Sequence, residues 1–191
     1  MKTTKISLRT LIFGSFTMLI GMLVTGCSQD QASPTTDTVE PNHTAAAKVP
    51  NLEAFIIDAK PEGAVSVTQA RASAAPGKPI VVTGQIGASD QPFGNSFATF
   101  ILGDEAIDFC DELPGDTCPK PWDACCEDPD KLAASRASVQ LTLDGTPIPG
   151  SIKGVAGLKE LDHVVVAGVV APTSTSENLI IHASGIYRID K

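Results

Sequence analysis

The stretch Ile80-Val-Val-Thr-Gly-Gln-Ile86 decides the fold that this sequence predicts. Apolar and polar side chains alternate along it, with Ile80, Val82 and Ile86 on one face, as is typical of a half-buried β-strand. Gly84 interrupts the strand at its middle, which indicates a bend or bulge. We therefore expect a strongly curled strand of the kind that a small, tightly coiled barrel requires.

Four further segments carry strand signals: Ser96 to Leu102, Val139 to Leu143, Val164 to Val170 and Leu179 to Ile189. Ahead of the first strand, Ser66-Val-Thr-Gln69 fits a capping box and predicts a short helix that stops before Pro76-Gly77. A short helical piece is expected around Gly157 to Leu161, between the third and fourth strands. This order predicts a mainly β domain, a five-stranded OB-fold-like Greek-key barrel. A five-stranded sandwich or an irregular α+β domain is the alternative.

Residues 1–26 have the character of an export signal. A basic start precedes an apolar run from Thr10 to Met22, which is too short to span a bilayer comfortably. The run ends in Leu23-Val-Thr-Gly26-Cys27, which resembles a bacterial lipoprotein signal peptide and implies cleavage before a lipidated Cys27. Ser28 follows in place of aspartate, which by the same resemblance favours the outer membrane or its periplasmic face. An ordinary secretory peptide or an anchor helix is the alternative.

The chain beyond the signal divides into a tether and one domain. Residues 27–50 are rich in Thr, Pro and Ala, a composition that predicts a flexible tether, and residues 51–191 form the barrel domain. Loss of the three basic residues of the signal changes the net charge from −8 to −11. Such a charge argues against nucleic acid as a partner, and Phe97 and Phe100 lie on opposite strand faces, so they form no stacking platform.

A cysteine-rich flap, residues 103–131, is predicted between the second and third strands. It contains Cys110, Cys118, Cys125 and Cys126, and because Cys27 would be lipidated, these four remain in an oxidising compartment. Two disulfides are the expectation, either 110–125 with 118–126 or 110–126 with 118–125. Seven and then six residues separate the first three cysteines, which departs from the usual zinc-site spacing. A metal site and a redox-active pair remain the alternatives.

The flap is also strongly acidic. Residues 104–130 contain ten acidic residues and a single basic one, Lys120. The acidic residues do not follow the order of a calcium-binding EF-hand loop. A solvated acidic surface is the preferred interpretation. Trp122 is expected to pack as a lid on the barrel or to contact a partner, and Phe93 is a further candidate for partner contact.

The run Cys118-Pro-Lys-Pro-Trp-Asp-Ala-Cys-Cys126 and the closing Leu-Ile-Ile-His-Ala-Ser-Gly-Ile-Tyr187 resemble an uncharacterised family of bacterial lipoproteins with an exported OB-fold domain. The resemblance covers about residues 60 to 190. It implies an exported barrel domain, but it lends no activity and no functional residues.

The expected function is that of a non-enzymatic, lipid-anchored binding module of the cell envelope. Neither a complete catalytic constellation nor a phosphate or dinucleotide motif is present, so no cofactor is expected. A protein, peptide or glycan would bind through the loops Ala88 to Asn95 and Ala171 to Asn178, beside the flap. The alternative is a metal-handling or thiol-redox protein that uses the four flap cysteines.

Overall fold

The structure, a computed structural model, describes residues 50–115 and 117–189. The predicted signal, the predicted lipidation site Cys27 and nearly all of the predicted tether lie outside the described residues. The strands are β1 (Val65–Ser66), β2 (Pro79–Ile86), β3 (Thr99–Gly103), β4 (Arg136–Leu143), β5 (Thr146–Pro147), β6 (His163–Val170) and β7 (Leu179–Arg188). The helices are α1 (Val67–Ser73) and α2 (Pro129–Ala134), with 3-10 turns at Leu52–Phe55, Cys110–Glu112 and Val155–Gly157. Among these described helices none has the length and apolar character needed to cross a membrane.

Five of the strands close into a barrel. The order is β2, β3, β4, β7 and β6, and β6 pairs back onto β2. The pairing of β4 with β7 is parallel, whereas β2–β3, β3–β4, β6–β7 and β2–β6 are antiparallel. This closed, mixed barrel confirms the predicted OB-fold-like architecture.

Gly84 allows β2 to take part in two neighbouring pairings. The strand pairs with β6 from Pro79 to Gln85, but it meets β3 only at its last two residues. A Cβ atom on Gly84 would overlap the carbonyl oxygen of Gly103 on β3. The glycine therefore serves the close approach of two backbones where the barrel closes, which is one established use of glycine within a strand.

Helix α1 forms as the capping box predicts. The Ser66 hydroxyl accepts a hydrogen bond from the Gln69 amide at 3.3 Å, and the Gln69 side chain accepts one from the Ser66 amide at 3.1 Å. Val67 and Ala70 then bury their side chains in the main core beneath the barrel strands. The helix is thereby joined to the same apolar core as β2, β4, β6 and β7.

Several boundaries differ from the sequence-based expectation. Strand β4 begins at Arg136 instead of Val139, because residues 136–138 pair with β3 although their side chains are not typical of strands. Strand β3 begins only at Thr99. The amide of the preceding residue, Ala98, donates its hydrogen bond to the carbonyl of Ile148, which belongs to none of the five barrel strands. The helical piece before β6 is the 3-10 turn Val155–Gly157, shorter and earlier than expected.

Candidate functional site

The flap docks onto the end of the barrel through the ring of Phe109. A Cβ atom on Gly87 would stand 2.7 Å from this ring, and one on Gly103 would stand 2.9 Å from it. Gly87, directly after β2, and Gly103, the last residue of β3, thus form the slot that the ring occupies. The ring belongs to a second small core of fully buried side chains: Ala88, Ile107, Phe109 and Ala124.

Trp122 lies at the rim of this contact. Its indole N–H donates to the carbonyl oxygen of Asp90 at 3.3 Å, and its own carbonyl accepts from the Ala88 amide at 2.8 Å. Lys120 forms an ion pair with Asp90 beside it. Trp122, expected as a lid on the barrel or as a partner contact, is half-buried, and its polar N–H has an acceptor, whereas Phe109 is the fully buried ring of this contact.

Two segments of the flap, which we call its arms, pair with each other at residues 110–111 and 121–123 and bring three cysteines together. The Cys110 amide donates to the Asp123 carbonyl at 2.8 Å, and the Asp111 amide donates to the Pro121 carbonyl at 3.1 Å. The Cys110 and Cys125 sulfur atoms are 3.7 Å apart. With the sulfur of Cys118 they form a group whose members all lie within 4.8 Å of one another, which we call the three-sulfur group.

The three-sulfur group runs from the interior of the flap to its surface. Cys110 is buried, Cys118 is half-buried and Cys125 is exposed, while Cys126 is exposed and outside the group. Burial raises the pKa of the Cys110 thiol to about 12, and the neighbouring thiols of Cys118 and Cys125 add to the rise, so this thiol is protonated at neutral pH. No two cysteines of the described residues are joined by a disulfide, and the two expected disulfides stay a prediction.

Asp104 is a buried carboxylate at the start of the flap, not a member of a solvated acidic surface as expected. One oxygen accepts from the Thr68 amide in the first turn of α1 at 2.6 Å, and the other accepts from the Ala106 amide at 2.9 Å. Burial raises its pKa, but these hydrogen bonds outweigh burial and hold the pKa below its ordinary value of 3.8. Asp104 thus ties helix α1 to the flap, a role that the sequence pattern around it does not signal.

We expect Asp104→Asn to destabilise the protein at neutral pH by about 1–3 kcal/mol, because an amide oxygen can replace only one carboxylate oxygen and leaves a backbone N–H unpaired. The folded pKa lies below the unfolded one, so the carboxylate stabilises the fold above about pH 4 and loses this effect as the pH falls through the folded pKa. Urea unfolding at several pH values measures the difference. Asp111→Asn, at an exposed site on the flap, should show no such difference, and equal behaviour of the two variants would contradict the assignment.

A groove crosses the outer face of β3 and β4. One hollow, of about 320 Å³, is lined mainly by residues 91–95 and 99–101 with Ser138 and Gln140. A second, of about 240 Å³, extends from there past Ala137 to Arg71 and Asn178. Ile101 and Ser138 line both hollows, so the hollows are direct neighbours, and we call them together the groove. Both loops that were expected to bind a partner contribute to its lining: residues 89 and 91–95 come from the first loop, and residues 177 and 178 come from the second.

Three of the residues that line the groove are charged, Arg71, Arg136 and Glu177, and the others are divided evenly between apolar residues or glycine and neutral hydrogen-bonding residues. The neutral hydrogen-bonding residues are Ser89, Gln91, Asn95, Thr99, Ser138, Gln140 and Asn178. The two arginines brace the backbone around it. Arg71 donates to the carbonyl of Arg136 at 3.2 Å and to that of Ser176 at 2.9 Å, and Arg136 donates to the carbonyl of Ala88 at 3.3 Å. The arginines therefore hold the loops in place and form no continuous basic track.

Of the two candidate contact residues, Phe93 lies in the core. Its ring is 7% exposed and packs against Phe100 with 6.2 Å between centroids, so it contributes to the floor of the groove. Phe97, four residues further along, is 48% exposed. Sequence reasoning considered Phe97 only as a nucleic-acid platform and did not single it out as an exposed ring.

Comparison with known proteins identifies no family. No protein-family model matches the chain, and no curated protein matches it either. Among solved structures, an OBody bound to hen egg-white lysozyme is 22% identical, over 63% of this chain and 91% of that chain, with a TM-score of 0.34. At that TM-score the likeness adds nothing to the assignment, and the barrel is defined by its own strand pairings.

Proposed function

We propose that this chain is a non-enzymatic binding module, anchored in the cell envelope by lipid on Cys27, that holds a neutral, hydroxyl-rich glycan in the groove across β3 and β4. The resemblance to exported lipoproteins supports the anchoring. The observation that carries the binding role is the adjacency of the two hollows, which share Ile101 and Ser138 and are lined by residues of both loops. This face and these loops are the surface on which OB-folds bind oligosaccharides and oligonucleotides.

The chemistry of the groove favours a glycan over a polyanion. Amide and hydroxyl side chains pair with sugar hydroxyls without a charge on either side, whereas phosphate needs clustered Lys and Arg. Arg71 and Arg136, the two cationic side chains that line the described groove, are engaged with backbone carbonyls. The expected net charge of −11 after processing would also repel acidic polymers.

The backbone at the groove leaves little opportunity for a peptide to add as a strand. Strand β3 pairs with β4 along one edge. Along its other edge, the Ile101 amide donates to Pro92 at 2.7 Å, and the Thr99 carbonyl accepts from Gly94 at 2.9 Å. Because strand addition requires an unpaired edge, side-chain recognition of a polymer is the more suitable mode here.

A binding experiment with the full-length, detergent-solubilised protein tests this proposal. Fully N-acetylated chito-oligosaccharides serve as neutral probes, and calorimetry measures the affinity. We expect Ser138→Tyr, which fills the junction of the two hollows, to weaken binding at least about tenfold, or about 1.4 kcal/mol. Ser184→Tyr is the matched control, because Ser184 is exposed on β7 and lines neither hollow. Equal affinities for the two variants, or capture of peptides but no glycan, would overturn the proposal.

A further inference from the structure

We propose that Cys110, Cys118 and Cys125 form a three-thiolate site for a thiophilic d10 cation, zinc or monovalent copper. The site is independent of the groove and of the ligand proposed for it. It rests on the positions of three sulfur atoms that residues from two arms of the flap bring together.

The sulfur positions fit thiolate ligation of one metal ion. Two thiolates bound to one zinc ion at about 2.3 Å in tetrahedral geometry lie about 3.8 Å apart. The Cys110 and Cys125 sulfurs are 3.7 Å apart, close to that separation. The third sulfur, that of Cys118, also lies within 4.8 Å of both.

The fold supplies the preorganisation that the cysteine spacing lacks. Zinc sites usually take two thiolates from one tight turn, and the spacing here contains no such pair within the group. Instead, the Cys110–Asp123 and Asp111–Pro121 backbone hydrogen bonds hold the two arms side by side. Phe109, next to Cys110, fixes that arm in its slot on the barrel. The sulfurs therefore sit on a supported framework, as a binding site requires.

The site has an open side. Cys110 is buried, whereas Cys125 is exposed, so solvent reaches the group from the side of Cys125. Three protein ligands with one position left for water or for another donor are typical of metal sites that react or exchange, and structural sites usually supply four. Binding one zinc ion would replace three thiol protons, which pass to solvent, and would leave the site with one net negative charge. The open position suits the cation for transfer to or from another protein.

The test uses the full-length protein, reduced with a phosphine under anaerobic conditions. Zinc affinity is measured against a chromophoric chelator, copper(I) affinity against bicinchoninate, and cobalt(II) spectra report thiolate ligation and tetrahedral geometry. We expect one equivalent of metal. Cys125→Ser should weaken binding by about 100-fold or more, since loss of a mere second-shell partner already costs 10–100-fold.

Cys126→Ser is the matched control, because Cys126 is the exposed neighbour outside the three-sulfur group. Its affinity should stay within about threefold of the unaltered protein, and circular dichroism should show both variants folded. Because Cys125 is exposed, its substitution tests ligation without disturbing the core. An equal loss in both variants would overturn the three-ligand assignment. Failure of the reduced protein to bind either cation would overturn the site itself. So would a 110–125 disulfide that forms in preference to the metal complex when the reduced, phosphine-free protein is exposed to oxygen with the metal present.

Discussion

Gly84→Ala is expected to prevent closure of the barrel and to cost at least about 3 kcal/mol of the free energy of unfolding, the upper range for overpacking a core. The added methyl group would overlap the carbonyl oxygen of Gly103, and its next neighbour is the Leu102 side chain at 3.0 Å. A side chain can rotate away, but a backbone carbonyl in a paired strand can move only if the strands separate. Urea denaturation, with far-ultraviolet circular dichroism as the signal, measures the loss.

Thr83→Ala is the control for this prediction, because it alters the same strand at a half-buried position without adding atoms. The Thr83 hydroxyl makes only a long hydrogen bond of 3.4 Å to the Val164 carbonyl, so its loss should cost about 1 kcal/mol or less. If Gly84→Ala were no more destabilising than Thr83→Ala, β2 and β3 would not approach each other as closely as the structure shows.

Phe109→Ala is expected to release the flap from the barrel and to destabilise the protein by about 3–5 kcal/mol, as large-to-small substitutions at buried aromatic residues do. The ring is fully buried between two glycines that have no side chains to fill the space it would leave. Hydrogen exchange should also accelerate at the Ala88 amide, which donates to the carbonyl of Trp122 across the docking contact.

Phe97→Ala makes the same chemical change at a ring that is 48% exposed. It should alter the free energy of unfolding by no more than about 0.5 kcal/mol, the usual range at surface positions. Metal affinity is a second measurement for the two variants. If the Phe109 ring positions the three-sulfur group, the affinity should fall in Phe109→Ala and remain unchanged in Phe97→Ala. Similar stability losses in the two variants would show that Phe109 does not anchor the flap.

Local patterns in the sequence were sufficient to predict most of the fold. The alternation of side chains in residues 80–86, the capping box from Ser66 to Gln69 and the turn residues between strands each depend on near neighbours in the chain. All of them predicted elements that the structure contains, and their order was sufficient to predict the OB-fold-like barrel. The first residues of β3 and β4 differ from the predicted ones, because pairing partners elsewhere in the chain, rather than local preference, determine where these strands begin.

The candidate sites depend on contacts that no local pattern records. The sequence identified the flap and its four cysteines. It did not indicate that Cys110, Cys118 and Cys125 lie together while Cys126 lies outside the group, because this arrangement depends on the backbone pairing of residues 110 and 123. In the same way, Trp122 stands in the distinctive sequence motif but lies at the rim of the docking contact. Phe109 is the ring buried in that contact, because two glycines distant in the chain leave space for it.

By itself, the sequence determined the strand order, the first helix, the place of the flap and the two loops that flank the groove, because these follow from periodicity, caps and turns within a few residues. Only the tertiary structure decided that Gly84 serves barrel closure, that Asp104 is buried and that Cys110, Cys118 and Cys125 meet. The physical reason is that each of these features requires the approach of segments far apart in the chain, and such approaches are set by packing of the whole barrel rather than by any one stretch of it.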